Sequence, residues 1–394
     1  VTIIRSRAGL ALIGAALALR AVLVRLTPGY VPHHDDRAYL LHALALVHTH
    51  AYPVYHVAGH AVPTAYRAPG WPFVLAIVHA VLGGGLVAPR LVQAALGAAV
   101  VAAVGAVSAE MWGRRTALIA MAIAAVSPAL VVFGASLLSE PLFAALALAS
   151  IACALHAHGR VGWAVAAGVL AGAAALTRPE GLFLVLAIAL CAGGRRAALV
   201  VAVVAALCVA PWTVRNAVVM HAFVPVSTEA GNTLAGTYNE KSLHDARWRD
   251  PRLSGLYPAQ RKAHRGDEVG NDTALLHAVG RWVLDHPLYP ARVAYENGRR
   301  LAGAVPTSYS VTSLHVVSLP PWPAPWIRVG LLLVTALALA GACLPAARRA
   351  PPGWWLGLAL VFLAALMVNG EQRFAFPLEA WLAPLAALPL SRGR

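Results

Sequence analysis

Asp35 and Asp36 stand side by side in Pro32-His33-His34-Asp35-Asp36-Arg37-Ala38-Tyr39, directly after the first hydrophobic stretch of a chain whose other apolar stretches are almost free of charge. Two adjacent carboxylates repel each other and draw water or cations toward a membrane face, an arrangement kept where a site needs it. Further polar side chains fall at the ends of apolar stretches: Tyr39 one helical turn past Asp35, then Arg67, Glu140, Arg178 with Glu180, Arg215 and Arg373. A charge within the hydrocarbon costs about 2.5–3.5 kcal/mol on insertion scales, so charges retained at such depth face an aqueous cavity.

The elements that carry these residues follow from composition. The chain has 394 residues, 59% hydrophobic and only 12% charged, which excludes a soluble fold and predicts an all-α polytopic membrane protein. The net charge of +15 would suggest nucleic acid in a soluble protein; here the excess of arginine in short cytoplasmic loops explains it, and no nucleic-acid partner is expected. The start, Val1-Thr2-Ile3-Ile4-Arg5-Ser6-Arg7, reads as a retained first helix because no small-residue cleavage site follows. The four cysteines (Cys153, Cys191, Cys208, Cys343) have no metal-like spacing and read as buried small hydrophobes.

About 20 apolar residues cross a bilayer core of about 30 Å. On that basis spans are expected near 8–27, 90–111, 116–134, 141–157, 162–177, 181–194, 197–212, 326–345, 354–369 and 376–390, about ten in all. The apolar run 71–86 is short, begins at Pro72 and ends in three glycines. If it does not span, Arg5/Arg7, Arg114-Arg115, Arg160, Arg195-Arg196, Arg348-Arg349 and Arg392/Arg394 all share one side, which the positive-inside bias makes cytoplasmic. The acidic loops and the polar segment 213–325 then lie outside, and 71–86 is a juxtamembrane or re-entrant helix in the first outer loop, 28–89. The expected organisation is a transmembrane catalytic module over 1–212, a small extracytoplasmic domain over 213–325 and C-terminal membrane helices over 326–394. Within 213–325 the spacing of Leu275, Leu276, Val279, Trp282 and Val283 predicts a helix over 273–285, with a second over 291–301.

Several stretches together resemble a known family. They are Asp35-Asp36-x-x-Tyr39, Arg67-Ala68-Pro69-Gly70-Trp71-Pro72, Leu137-Leu138-Ser139-Glu140-Pro141-Leu142-Phe143, Ala175-Leu176-Thr177-Arg178-Pro179-Glu180-Gly181, Pro211-Trp212-x-x-Arg215-Asn216, Pro225-Val226-Ser227-Thr228 and Arg373-Phe374-Ala375-Phe376-Pro377-Leu378-Glu379. Their order and spacing resemble the GT-C membrane glycosyltransferases, nearest to the dolichyl-phosphate-mannose protein mannosyltransferase superfamily that includes the aminoarabinose transferases. The family more often reads Asp-Glu at 35–36 and Arg-Pro-Pro-Gly at 67–70; both departures keep the charges.

The resemblance implies an inverting glycosyltransferase of the outer membrane face. A sugar would pass from a polyprenyl phosphate to a hydroxyl of an acceptor glycan, lipid or protein, with membrane lipids around it. It assigns Asp35 as the base that takes the hydroxyl proton, with Asp36 assisting or orienting. Arg67, Arg178, Arg215 and Arg373 would hold the donor phosphate, Tyr39 and Glu180 would support them, and Glu140 would face the acceptor or a divalent cation. A divalent ion at Asp35 or Glu140 is the one cofactor considered; the seven histidines from His33 to His60 fit no tight ligand set.

Plainer readings stand beside these. Asp35 and Asp36 can be helix caps, Arg178 and Glu180 a structural pair, and Arg67 and Arg373 snorkelling side chains, as Arg20 and Arg25 are expected to be. Trp71, Trp212, Trp322 and Trp326 read as interfacial anchors. The alternative functions are a transporter or flippase of lipid-linked or small solutes, or a non-catalytic envelope-assembly subunit. High alanine, arginine and valine usage suits a bacterial inner membrane.

Overall fold

The computed structural model describes residues 3–57 and 60–391; Val1, Thr2, Arg392 and Arg394 lie outside the described residues. The elements in chain order are α1 (Arg7–Leu26), α2 (Asp35–Thr49), β1 (Val54–Val57), β2 (His60–Pro63), α3 (Gly70–Leu82), α4 (Val87–Trp112), α5 (Arg114–Val126), α6 (Pro128–Val132), α7 (Glu140–Leu155), α8 (Val161–Thr177), α9 (Gly181–Leu190) and α10 (Arg195–Met220). Then come α11 (Ala230–Thr237), α12 (Pro258–Ala263), α13 (Glu268–Asp285), α14 (Tyr289–Leu301), α15 (Thr307–Val316), α16 (Ala324–Ala342), α17 (Pro352–Met367) and α18 (Ala375–Leu390).

The chain is a multi-pass membrane protein. By length and composition α1, α4, α10 and α16 can each cross a bilayer, and α5 with the bent segment after it makes a fifth candidate. Shorter apolar helices (α3, α7, α8, α9 and α17) pack among them. With 13 residues, α3 is about 20 Å long, short of the hydrocarbon thickness. It packs on α2, and both lie in the first loop, where juxtamembrane helices are expected. The antiparallel β1–β2 hairpin between them, with Val54 opposite Pro63, is a departure from the all-helical expectation.

The stretch expected as one span over 116–134 is instead broken, with a bend of 59° between Arg114–Val126 and Pro128–Ala135. Pro128 has no N–H to give to the carbonyl of Ala124, and its ring crowds that turn. The freed carbonyls find their donors in Arg20. Its Nη2 donates to Ala124 O and its Nη1 to Ala125 O, each at 3.2 Å, and Nη1 also to Ala16 O at 3.1 Å. Arg20 is fully buried, so it does not snorkel as expected, whereas Arg25 is exposed. Gly97 makes the room: a Cβ there would stand 2.5 Å from Arg20 Nε.

Arg20→Met therefore leaves backbone acceptors in a lipid-embedded helix without partners, at about 1–3 kcal/mol each. The apparent melting temperature in detergent is expected to fall by several degrees, with Arg25→Met as the unaffected comparison. Equal melting of both variants contradicts the capping role.

The turns that carry Arg114-Arg115, Arg160, Arg195-Arg196 and Arg348-Arg349 gather at one end of the bundle. There Trp112 Nε1 donates to Ala346 O (2.8 Å), His156 Nε2 lies 3.2 Å from Glu110 Oε1, and His158 Nδ1 lies 2.9 Å from Gly193 O. Helix α10 runs on to Met220, past the expected end at 212, so Trp212, Arg215 and Asn216 occupy its last turns. The helix expected over 273–285 starts earlier, at Glu268, because the Asp267 carboxylate accepts from Gly270 N at 2.8 Å and caps it. That helix, with α11 and α14, closes a separate small core of Ala235, Tyr238, Leu275, Val279, Tyr289 and Val293. Cys343 is exposed rather than buried, and all four cysteines are free.

Candidate active site

Opposite the arginine turns, chain segments distant in sequence meet around the start of α2. Asp36 fixes that start. Its Oδ1 accepts from the backbone N–H groups of His33 (3.1 Å), His34 (3.0 Å) and Arg37 (2.9 Å), and its Oδ2 accepts from the Tyr30 hydroxyl at 2.7 Å. Tyr30 in turn accepts from Leu137 N (3.1 Å), and the Arg90 guanidinium lies 4.3 Å over its ring. Arg90 itself donates to Ala135 O (2.8 Å) and Thr27 O (2.9 Å). Asp36 is thus a fully buried cap that ties α2 to the loop before α7; among the described residues no bond joins it to the nominated arginines.

Asp35, one residue earlier, meets two of those arginines. Arg67 Nη2 binds its Oδ1, and Arg373 Nη1 lies 2.7 Å from its Oδ2. Arg67 reaches on to Glu229 Oε2 at 3.1 Å, and Arg373 Nε to Glu371 Oε2 at 2.9 Å. Arg178 pairs with Glu140 Oε1 (Nη1, 3.0 Å) and Glu180 Oε1 (Nε, 2.5 Å). The two groups are joined. Arg178 and Arg373 lie over the same Phe374 ring, at 5.3 and 4.7 Å, while Arg67 lies 5.2 Å from the Tyr39 ring. The Tyr39 hydroxyl is 3.2 Å from Ser139 Oγ, which also accepts from Arg178 Nη1 at 3.2 Å.

Local sequence explains this convergence. Gly70 lets the start of α3 press on the end of α8, for a Cβ there would lie 2.7 Å from Thr177 Oγ1. That contact brings Arg67, three residues before Gly70, beside Arg178, one residue after Thr177. Trp71 is completely buried and donates to Leu137 O at 3.1 Å, so it is a strut between two site loops and not an interfacial anchor. Trp322 and Trp326 are exposed, as anchors are.

Arg215 stands apart. It donates to Thr64 O (2.9 Å) and Asn216 Oδ1 (3.1 Å) and lies over Trp212 (4.9 Å) and Tyr52 (5.4 Å). No ion pair joins it to Asp35, Glu140 or Glu180 among the described residues, so the structure does not bring it into the cluster. Its neighbour in charge is Glu268, which accepts from Thr64 Oγ1 (2.6 Å), Ala65 N (2.8 Å) and Thr228 Oγ1 (2.6 Å). These bonds bolt α13 and the segment before α11 to the strand that leads into Arg67.

Glu229 was not legible as a site residue. It follows the Pro225–Thr228 stretch directly, and only the fold reveals that this turn arrives beside Arg67.

The two carboxyl groups on Arg67 are driven in opposite directions. Burial alone would push Asp35 up, but Arg67 and Arg373 overcome it and hold the carboxyl well below the usual carboxylate range. At Glu229 burial prevails, helped by the charges of Asp35 and Glu180, and the carboxyl is raised despite Arg67 and Arg178.

Asp272, which accepts from Gly231 N at 2.6 Å at the start of α11, is raised by burial to about 6. A carboxyl whose folded value lies above its unfolded value costs stability once it ionises: the cost is absent below about pH 4, grows between about 4 and 6, and stays constant above. Asp272→Asn keeps the acceptor without the charge. It is expected to raise the apparent melting temperature above pH 6 and leave it unchanged at pH 4; a variant that melts lower at pH 7 contradicts this.

The residues do not fit a divalent cation. Among the described residues no three His, Cys, Asp or Glu side chains are grouped to hold one, and both oxygens of Asp35 already face guanidinium groups. Glu140 is likewise engaged by Arg178 and is only 2% exposed.

Residues 66–226, which carry Arg67, Glu140, Arg178, Glu180 and Arg215, match the family described as dolichyl-phosphate-mannose-protein mannosyltransferase. Over that stretch the chain carries the pattern of this glycosyltransferase family, and the resemblance to GT-C membrane glycosyltransferases holds. Among solved structures, the archaeal oligosaccharyltransferase AglB from Archaeoglobus fulgidus, in complex with an inhibitory peptide and a dolichol-phosphate, is 16% identical with a TM-score of 0.59; the alignment covers 97% of this chain and 50% of that one. The apo form of the Archaeoglobus fulgidus oligosaccharyltransferase gives 15%, 0.58, 97% and 50%. ArnT from Cupriavidus metallidurans bound to undecaprenyl phosphate is 14% identical with a TM-score of 0.48, covering 97% of this chain and 77% of that one. At such identity the archaeal likeness is one of fold, and this chain spans about half the length of the archaeal enzyme. No curated protein sequence matches significantly.

Proposed function

We propose that the chain is an inverting glycosyltransferase that moves a sugar from a polyprenyl phosphate to an acceptor hydroxyl on the outer face of the membrane. The observation that carries the reading is Asp35 held between Arg67 and Arg373, with Arg178 on the same aromatic ring as Arg373. In this reading the bundle crosses the membrane about ten times, with the arginine turns cytoplasmic. The segment between α10 and α16 covers the site from outside and meets the acceptor.

The acceptor oxygen attacks the anomeric carbon as the bond from that carbon to the phosphate oxygen breaks, and the configuration inverts. The hydroxyl proton passes to Asp35. While two guanidinium groups hold Asp35 it is a weak base. A donor phosphate competes for the same groups, and as they turn toward it Asp35 gains basicity where the hydroxyl arrives. The phosphodiester leaves as a monoester with growing charge on its oxygens, and planar guanidinium forks suit that charge. Asp36, as the cap of α2, fixes where Asp35 stands.

The test is incubation of the purified chain with labelled polyprenyl-phosphate hexoses and pentoses and a membrane extract as acceptor source. Release of polyprenyl monophosphate with an inverted glycoside as product supports the reading. Movement of intact donor across vesicles with no cleavage of any donor overturns it in favour of transport.

A further inference from the structure

The cluster holds more acid than base. The three guanidinium groups of Arg67, Arg178 and Arg373 face five carboxyl groups, those of Asp35, Glu140, Glu180, Glu229 and Glu371. A donor phosphate adds negative charge to a site already in excess by two, which favours a carboxylate leaving its arginine or taking up a proton when the donor binds.

Besides Asp35, Glu229 is the carboxylate placed to do so. Its backbone is held without its side chain. Thr228 N donates to Ala65 O at 3.1 Å, Gly231 N to Asp272 at 2.6 Å, and Asn232 Nδ2 to the Tyr66 hydroxyl at 2.8 Å. The carboxylate pairs with Arg67 alone among the described residues, at 3.1 Å, and is 25% exposed, whereas Glu140 is 2% exposed and fixed at the first turn of α7. At rest Arg67 also holds Asp35, and its buried Nε has no partner among the described residues, so the guanidinium retains donor capacity toward an incoming phosphate.

We propose that Glu229 is a gate on the donor site: it occupies one arm of Arg67 at rest, the phosphate of the lipid-linked sugar displaces it, and the displaced carboxylate takes up a proton. This rests on the glycosyltransferase reading and deepens it. The charged and titratable groups facing Glu229 are Arg67 and Tyr66 from the segment before α3, Asp35 and Tyr39 from α2, and Arg178 and Glu180 from the turn between α8 and α9. Of these, the two acids and the incoming phosphate favour protonation. The raised carboxyl of Glu229 is already displaced in that direction.

The sign follows. Donor affinity is highest where Glu229 is protonated and falls as pH rises through its titration, by at most tenfold per pH unit for one proton. The experiment measures binding of a polyprenyl monophosphate to the full chain in detergent from pH 5 to 8, for the parent, Glu229→Gln and Glu229→Asp. The second ionisation of the phosphate, near pH 6, is common to all three and cancels in the ratio. The expected result is a parent that binds about 10-fold more weakly than Glu229→Gln at pH 8, or about 1.4 kcal/mol, with the gap closing toward pH 5. Glu229→Asp should keep the parent's pH dependence. A Glu229→Gln variant that binds as the parent does or more weakly, or a ratio that does not change with pH, overturns the gate while leaving the donor reading intact. A parent that binds no polyprenyl monophosphate at any pH overturns the donor reading and the gate with it.

Discussion

Asp35→Asn is expected to lower turnover by about 10²–10⁴-fold, the range for loss of a positioned general base, while donor binding persists. Geometry explains why the two should separate. Arg67 keeps Glu229 and Arg373 keeps Glu371 when the charge at 35 is removed, so neither guanidinium is left buried without an anion. The asparagine can still receive a hydrogen bond from either, and Asp36, which caps α2, is untouched. Because an anion competing for Arg67 and Arg373 is gone, affinity for polyprenyl monophosphate should hold or rise. The check is kcat with a cleavable donor beside Kd for the monophosphate. A variant with parental kcat removes Asp35 as the base, and one that loses both quantities together makes Asp35 a structural residue.

Arg67→Gln should cost about 3–4 kcal/mol of transition-state stabilisation, a loss of about 10²–10³-fold, as for one well-aimed donor to developing charge. The effect reaches further than the phosphate, because Arg67 is the bridge between Asp35 and Glu229. Without it Asp35 keeps only Arg373, and its carboxyl moves up toward the ordinary range. Activity that remains should therefore show its acidic limb at higher pH than the parent's. Arg67→Lys is not expected to rescue, since one ammonium cannot present two arms at fixed angles to two carboxylates. Full activity in Arg67→Lys contradicts the bridging role.

How much of this was legible depended on whether a residue's partner lay near it in sequence. Asp35, Arg67, Arg178 and Arg373 could be nominated because each ends an apolar stretch, and helix polarity brings such ends together. The pairing of Arg178 with Glu180 is local, two residues apart, and could be read directly. Glu229 could not, since what makes it a site residue is the approach of Arg67 from 162 positions away. Arg215 misled for the converse reason. It has the right type and spacing, but α10 continues past 212 and carries the side chain to Thr64 and Trp212. Arg20 shows the same limit within the bundle: snorkelling is the default for an arginine in an apolar helix, and only the bend at Pro128 creates the carbonyls that hold it inside.

The most direct measurement is a structure of the chain in lipid nanodiscs with a polyprenyl monophosphate bound. The phosphate is expected within hydrogen-bond reach of Arg67 and at least one of Arg178 and Arg373, with Asp35 beside it and open to an approaching hydroxyl. A phosphate seated on the arginine turns at the other end of the bundle, or on Arg215 with Asp35 still closed between Arg67 and Arg373, would contradict it.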